Sequence, residues 1–481
     1  MGTRLWDGVA AAVRLAEGDP LREAFDTGDP AAWTALDAGV RTASWDTERY
    51  VWLTPAWEKT EGGRAVKDAL LHGRPLTEGQ LALALCHREG KVRAAALSRA
   101  VDFPRLLPLL VVRCSDWAAP VREVARRRLT ETLDAEGAVR VMPVILRVGR
   151  RDRGDFVTGL ATELLRAAPP ETLAPLYADP HRRVRRYAYR LAVGEAFLSP
   201  GELARAAARD GDTVVQSLCA DSALAAVSDE DGAYDDVLEP LLAARGPQAR
   251  AAGVTALRRA GRSERAVGFL GDRSGVVRAC ARYVVRQGGG DPSVWYRERC
   301  GRPEGPAPGV VIGLAECGER ADAEVLWPLV GHPAAGVRAR AVAGLRLLDV
   351  VDVRRLLPLL DDPAPGVVRE VTAALLPSAG SLDTGRLMER LARERPRHVR
   401  VAAFRLLHAR DGLVRLRASV ALVDDPDDKL RRWAGQSVQR WHPTADVRHG
   451  TVEVGELLDR GRHLFSEHVL KRRKWEAGLK A

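Results

Sequence analysis

The chain has 481 residues, 46% apolar and 29% charged, with 74 Lys and Arg against 64 Asp and Glu, a net charge of +10. Aromatic residues make up only 5%, which argues against a β-rich fold, and the normal apolar content without a Gly period excludes collagen-like and disordered classes. No run of about 18 apolar residues occurs, so no membrane-spanning helix is expected.

Residues 1–75 open the chain with five of its 11 Trp, namely Trp6, Trp33, Trp45, Trp52 and Trp57, together with Tyr50. This segment reads as a helical N-terminal cap whose rings cover the first repeat, with an aromatic binding surface as the alternative. Met1 to Asp7 shows no signal-peptide core, and the six Cys stand alone without a CxxC pair. Both features point to a cytoplasmic, reducing location.

From residue 76 a pattern recurs: a turn, then Val-Arg, then Ala three residues after the Arg, then an apolar stripe. It appears at Val92-Arg93, Val121-Arg122, Val184-Arg185, Val277-Arg278, Val337-Arg338, Val368-Arg369, Val399-Arg400 and Leu430-Arg431. Weaker copies lie at Val215-Gln216, Ala249-Arg250, Phe156-Val157 and Val311-Ile312. From Arg93 to Arg431 the twelve anchors step by 29, 35, 28, 31, 34, 28, 34, 26, 31, 31 and 31 residues. An apolar-Pro-apolar core precedes many anchors, as at Pro108, Pro143, Pro175, Pro240, Pro328 and Pro358. Each unit is therefore expected to be a helix A carrying the Pro, a turn, and a helix B starting at Val-Arg. In helix B, Val184, Ala188 and Leu191 share one apolar face that only stacked neighbours can bury.

The repeats divide at residues 287–309, rich in Gly and Pro and expected to be a loop or hinge. They resume over 310–445. Residues 446–481 are expected to form a C-terminal helix over 455–470 followed by a basic tail, Lys471-Arg472-Arg473-Lys474.

This pattern, over roughly residues 75–445, resembles the HEAT-repeat superfamily, in particular its short bacterial repeats of about 30 residues. The resemblance implies an all-α, right-handed α-solenoid of about 12 HEAT-like helical pairs with atypical N- and C-terminal caps. It also implies a structural ladder through Arg122, Arg185, Arg278, Arg338, Arg369, Arg400 and Arg431, in which the helix B Arg and an Asp of the preceding turn form a stack linking neighbouring repeats. The pairs so implied are Asp116 with Arg122, Asp179 with Arg185, Asp272 with Arg278, Asp361 or Asp362 with Arg369, and Asp424 or Asp425 with Arg431. Arg93, with Glu89 as its one nearby acid, and Arg250, with none, depart from that pattern.

No catalytic set emerges. The ten His show no metal-ligand spacing, and Gly-x-Ser-x-Gly, a P-loop and a dinucleotide fingerprint are absent. No cofactor and no metal are expected. Two basic groups remain. Arg126, Arg127, Arg150, Arg151, Arg153, Arg182, Arg183, Arg186 and Arg190 lie within 113–190, a stretch of 16 bases and 10 acids. Lys471, Arg472, Arg473 and Lys474 form the other group. Arg183, Arg186 and Arg190 share a helix face, and such faces align in a repeat stack into a track that could meet phosphates or an acidic partner.

The leading expectation is a non-enzymatic scaffold holding a protein or peptide partner on its concave surface. The alternative is DNA binding through the Arg track, with the helical-repeat DNA glycosylases sharing architecture alone. A third reading is a helper or lyase-like role on another protein's cofactor.

Overall fold

The computed structural model describes residues 2–42, 45–46, 51–52, 54–227, 234–302, 304–445 and 447–479. The chain divides into two compact units, residues 1–249 and 250–481.

The first unit opens with α1 (Gly2–Glu17), α2 (Leu21–Ala24) and α3 (Pro30–Arg41), a two-stranded hairpin and α4 (Glu61–Leu71). The hairpin pairs β1 (Trp45–Asp46) with β2 (Val51–Trp52), a small departure from the all-α expectation. Asp29 caps α3 by accepting from the Ala31 N–H, and Pro30 fills the first helical position.

Helical pairs follow: α5 (Glu78–Cys86) with α6 (Gly90–Arg99), α7 (Leu107–Arg113) with α8 (Ala119–Thr132), and α9 (Ala135–Val148) with α10 (Asp155–Ala167). Next come α11 (Ala174–Tyr177) with α12 (Arg182–Gly194), α13 (Pro200–Arg209) with α14 (Thr213–Ala226), and α15 (Tyr234–Leu242) with α16 (Pro247–Ala256).

In the second unit a 3-10 segment (Ser263–Phe269) precedes α17 (Gly275–Gln287), and α18 (Pro292–Cys300) precedes α19 (Pro308–Cys317). Then α20 (Ala323–Leu326) leads to α21 (Ala335–Leu347), α22 (Val353–Leu356) to α23 (Pro365–Leu375), α24 (Thr384–Glu389) to α25 (Arg397–His408), and α26 (Gly412–Val420) to α27 (Asp428–Gln439). The chain closes with α28 (Val452–Arg460) and α29 (Glu467–Glu476).

Among the described residues this makes twelve helical pairs between 78 and 439, one for each anchor, and within each unit neighbouring pairs stack as in a HEAT-like α-solenoid. The repeat pattern explains the packing. Val121, Ala125 and Leu129 of α8, Val157, Ala161 and Leu165 of α10, and Val184 and Ala188 of α12 are all buried. Each buried Val or Leu contributes about 1.5–3 kcal/mol, and the Ala between them lets neighbouring helices approach. At Thr372, which replaces that Ala, the hydroxyl donates to the Val368 carbonyl at 2.6 Å, so the buried position stays satisfied.

The prolines of helix A act as expected. Pro143 and Pro240 lie inside α9 and α15, whereas Pro328 and Pro358 sit in 3-10 segments that follow α20 and α22.

The segment 287–309 differs from the expected loop or hinge. It holds α18, which packs on α19 as the A helix of its own pair. Asp291 caps this helix through the Ser293 N–H, Pro292 starts it, and Tyr296 is fully buried with its hydroxyl donating to the Leu270 carbonyl at 2.7 Å. The division into compact units falls at 249/250 instead. The expected helix over 455–470 is likewise two helices, broken after Arg460 at Gly461.

Of the N-terminal rings, Trp33 and Trp57 are buried, their indole N–H groups donating to Thr27 and Val40 carbonyls at 2.9 Å each, while Trp6 is exposed. Tyr50 lies outside the described residues, as do the side chains of Trp45 and Trp52. The cap reaches beyond the first pair: α3 packs against α5, α7 and α9, three successive A helices.

Candidate functional site

The turns between helices A and B set the polar architecture. The ladder runs forward, to the next repeat, and not back to the Asp of the same turn. Arg93 is fully buried and grips Asp116 with Nε at 2.9 Å and Nη2 at 2.8 Å. Arg185 grips Asp210 (2.8 and 3.1 Å), Arg250 Asp272 (3.0 Å twice), Arg338 Asp362 (2.8 and 2.9 Å) and Arg400 Asp425 (2.9 and 3.0 Å). Arg278 reaches Glu316 instead of an Asp.

The preceding turn supplies only backbone. Nη1 of Arg93, Arg122, Arg185, Arg278, Arg338 and Arg431 donates to the carbonyl six residues earlier, at 2.7–2.9 Å. Each rung Asp also accepts from the N–H two residues on, as Asp116 does from Ala118 and Asp425 from Asp427. One carboxylate therefore fixes its own turn and the preceding repeat's Arg.

The implied pairing is corrected accordingly. Arg93 and Arg250, which lacked a nearby Asp, form rungs. Arg122 makes only the backbone half, Arg369 is 72% exposed and reaches Glu370, and Arg431 pairs with Asp428.

A second polar group was not visible in sequence. Asp37 of α3 accepts from Arg113 of α7 and from Arg41 at 2.7 Å, and Arg113 also donates to Asp116 at 2.7 Å. Burial pulls the Arg113 pKa down, but Asp37 and Asp116 more than offset it, so the guanidinium stays charged. This network fastens the cap to the first rung.

The structure separates the predicted basic residues. Arg126 is spent inside the fold: Nε donates to the Cys114 carbonyl at 3.1 Å, Nη2 to the Arg153 carbonyl at 2.9 Å, and the guanidinium lies 4.8 Å over the Phe156 ring. Arg186 is held by Asp212 through two bonds of 2.8 Å. Arg151 lies 4.0 Å from Asp37. Arg127, Arg150, Arg153, Arg182, Arg183 and Arg190 are exposed. Between α8 and α12 stands α10, which bears exposed Asp155 and Glu163, so the positive track is interrupted.

The expected basic tail is part of α29, and all four of its bases are ion-paired. Lys471 meets Glu467 (3.0 Å), Arg472 and Arg473 meet Glu476 (2.9 Å each), and Lys474 meets Asp459 (2.7 Å). Helix formation at i, i+4 and i, i+3 spacing explains the first three pairs, while Lys474 reaches across to α28.

Two of the predicted residues, Arg182 and Arg183, come together with Arg147 in a groove of about 430 Å³. Pro30 and Ala31 of α3, Pro143 and Leu146 of α9, and His181 at the start of α12 complete much of its wall, with Asp29 at one side. The N-terminal turn of α12 adds partial positive charge. Arg147 is also anchored, donating from Nε to Thr34 at 2.8 Å. The groove is thus cationic with apolar walls. Among the described residues no cluster of three or more His, Cys, Asp or Glu is placed to hold a metal ion, and no helix is long and apolar enough to cross a membrane.

No family model matches the chain, and no curated protein matches it significantly. Among solved structures it is similar to importin β, at 12% identity and a TM-score of 0.33, over 97% of this chain and 65% of that one. It is also similar to Kap95p bound to RanGDP, at 10% identity and a TM-score of 0.32, over 98% and 63%. A tubulin-recruiting TOG-domain array of a microtubule polymerase aligns at 13% identity and a TM-score of 0.24, over 83% and 99%. The chain therefore spans about two thirds of the length of importin β.

Proposed function

We propose that the chain is a non-enzymatic repeat scaffold that holds an acidic segment of a protein or peptide partner. The observation that carries this reading is the groove among α3, α9 and α12. Its guanidinium groups from Arg147, Arg182 and Arg183 favour carboxylates, and its walls of Pro30, Ala31, Pro143 and Leu146 favour apolar side chains. A peptide supplies both. A polyanion supplies only charge, and it would meet Asp29 in the groove and Asp155 and Glu163 on α10. DNA binding along the Arg track has weaker support, because Arg126 and Arg186 are already paired within the fold.

Fluorescence anisotropy tests the two readings side by side, using a labelled peptide alternating Glu and Leu and a labelled 20-base-pair duplex. The scaffold reading expects the peptide to bind and the R182E/R183E variant to weaken it at least about tenfold, the equivalent of 1.4 kcal/mol. Tight duplex binding with a steep fall in affinity as salt rises would favour the nucleic-acid reading instead.

A further inference from the structure

At the fifth anchor the ladder is dismantled on both sides. Gln216 stands where Arg93 and Arg185 stand in their repeats, and Ala244 stands where Asp116 and Asp210 provide the carboxylate. Gln216 keeps the backward half of the rung: its Nε2 donates to the Asp210 carbonyl at 2.7 Å. Its Oε1 makes no hydrogen bond, although the residue is only 5% exposed. Arg122 and Arg369 also lack a forward carboxylate, but they turn to carbonyls or to solvent. Gln216 remains buried and lines a groove of about 810 Å³.

A second groove, of about 730 Å³, adjoins the first and shares Arg205, Arg209, Asp210 and Gly211 with it. Tyr177 lines this second groove, stacked on Tyr189 at 4.8 Å, and its buried hydroxyl also lacks a partner. Buried polar atoms in native proteins are nearly always paired, so two orphans on one continuous groove mark a place where a ligand supplies the partners.

The charges identify the ligand. The acids around the grooves are already engaged: Asp210 by Arg185, Glu202 by the Ser199 N–H and hydroxyl, and Asp179 by the His181 N–H. Arg205 and Arg209 are exposed on α13, and among the described residues no carboxylate forms a salt bridge with either.

We infer that this double groove on the A-to-B turns of α11–α16 is a docking channel for an extended acidic peptide segment of another protein. The inference rests on the scaffold reading above and assigns it a second site. Gln216 Oε1 accepts a backbone N–H of the peptide, the Tyr177 hydroxyl pairs with a neighbouring backbone group, and Arg205 and Arg209 hold its carboxylates. Two repeat spacings of about 10 Å each, at about 3.3 Å per extended residue, accommodate roughly six residues.

The test uses the full chain and a fluorescein-labelled hexapeptide alternating Asp and Ser, read by anisotropy. The wild type binds it. The variants Q216M and R205E/R209E each weaken it at least tenfold, and N-methylation of the central peptide bonds weakens binding to the wild type but not to Q216M. The rebuilt rung Q216R/A244D closes the channel: it abolishes binding while leaving thermal stability equal or higher, so lost binding there is not misfolding. The channel is overturned if the wild type does not bind the peptide, if a Lys-Ser hexapeptide or a hexanucleotide binds as well, or if Q216R/A244D binds unchanged. Binding that survives R205E/R209E but is lost in R182E/R183E would overturn this channel and keep the scaffold reading.

Discussion

Replacing Asp37 by Ala should loosen the N-terminal cap from the repeats. Asp37 is 7% exposed and is shared by Arg113 and Arg41, with Arg113 itself 1% exposed. Removing the carboxylate leaves Arg113 buried with its Nη2 unpaired, in addition to an Nε that has no partner in the native fold. Breaking a buried ion pair from one side costs about 3–5 kcal/mol, and Arg113 keeps Asp116 at 2.7 Å, so about 3 kcal/mol is expected. The chain has two units, so a single two-state transition is not assumed. Native-state hydrogen exchange reads the effect locally: amides of α3, α7 and α9 should lose protection together. The double variant D37L/R113L removes the pair while keeping the Arg93–Asp116 rung, and should recover most of the loss. A change below about 1 kcal/mol in D37A, or a double variant worse than the single, would refute the reasoning.

Other outcomes follow from the same contacts. Arg186, together with the Val215 and Val214 N–H groups, holds the Asp212 pKa at about 2. A carboxylate depressed in the folded state contributes stability above its unfolded pKa of about 3.9 and loses it as pH falls toward 2. Carbon-detected titration should place Asp212 near 2 in the wild type and nearer the ordinary value in R186M. Burial pushes His87 down to about 4, so the unfolded chain binds the extra proton below about 6.5. Stability should therefore fall between pH 6.5 and 4, and a proton-NMR titration of the ring checks the midpoint. A methyl at Gly313 would sit 2.4 Å from the Tyr296 ring, so G313A should destabilise the α18–α19 pair by about 1–3 kcal/mol in denaturant titration.

How legible each feature was depends on its range. The repeat was readable because Val184 and Ala188 carry one job in every unit, and a period survives any choice of partner. The hinge reading of 287–309 failed on local grounds: Gly288-Gly289-Gly290 is a turn, but Asp291-Pro292 behind it is a cap and a helix start. The ladder's direction was hidden because Asp179 lies six residues from Arg185 in sequence while Asp210 is next to it in space. The same gap concealed why Arg186 is unavailable, since its partner Asp212 belongs to the following repeat. The groove residues were half visible. Arg182 and Arg183 stood out by charge, but that Arg147 and α3 join them needed the folded cap. Gln216 gave no signal beyond breaking the Val-Arg pattern.

The stacking account is tested most directly by two double-mutant cycles that share Arg185. One couples Arg185→Met with Asp210→Asn, and the other couples it with Asp179→Asn, each read by hydrogen exchange across α12–α14. The forward rung requires a coupling above about 1 kcal/mol with Asp210 and near zero with Asp179. A coupling confined to Asp179 would contradict it.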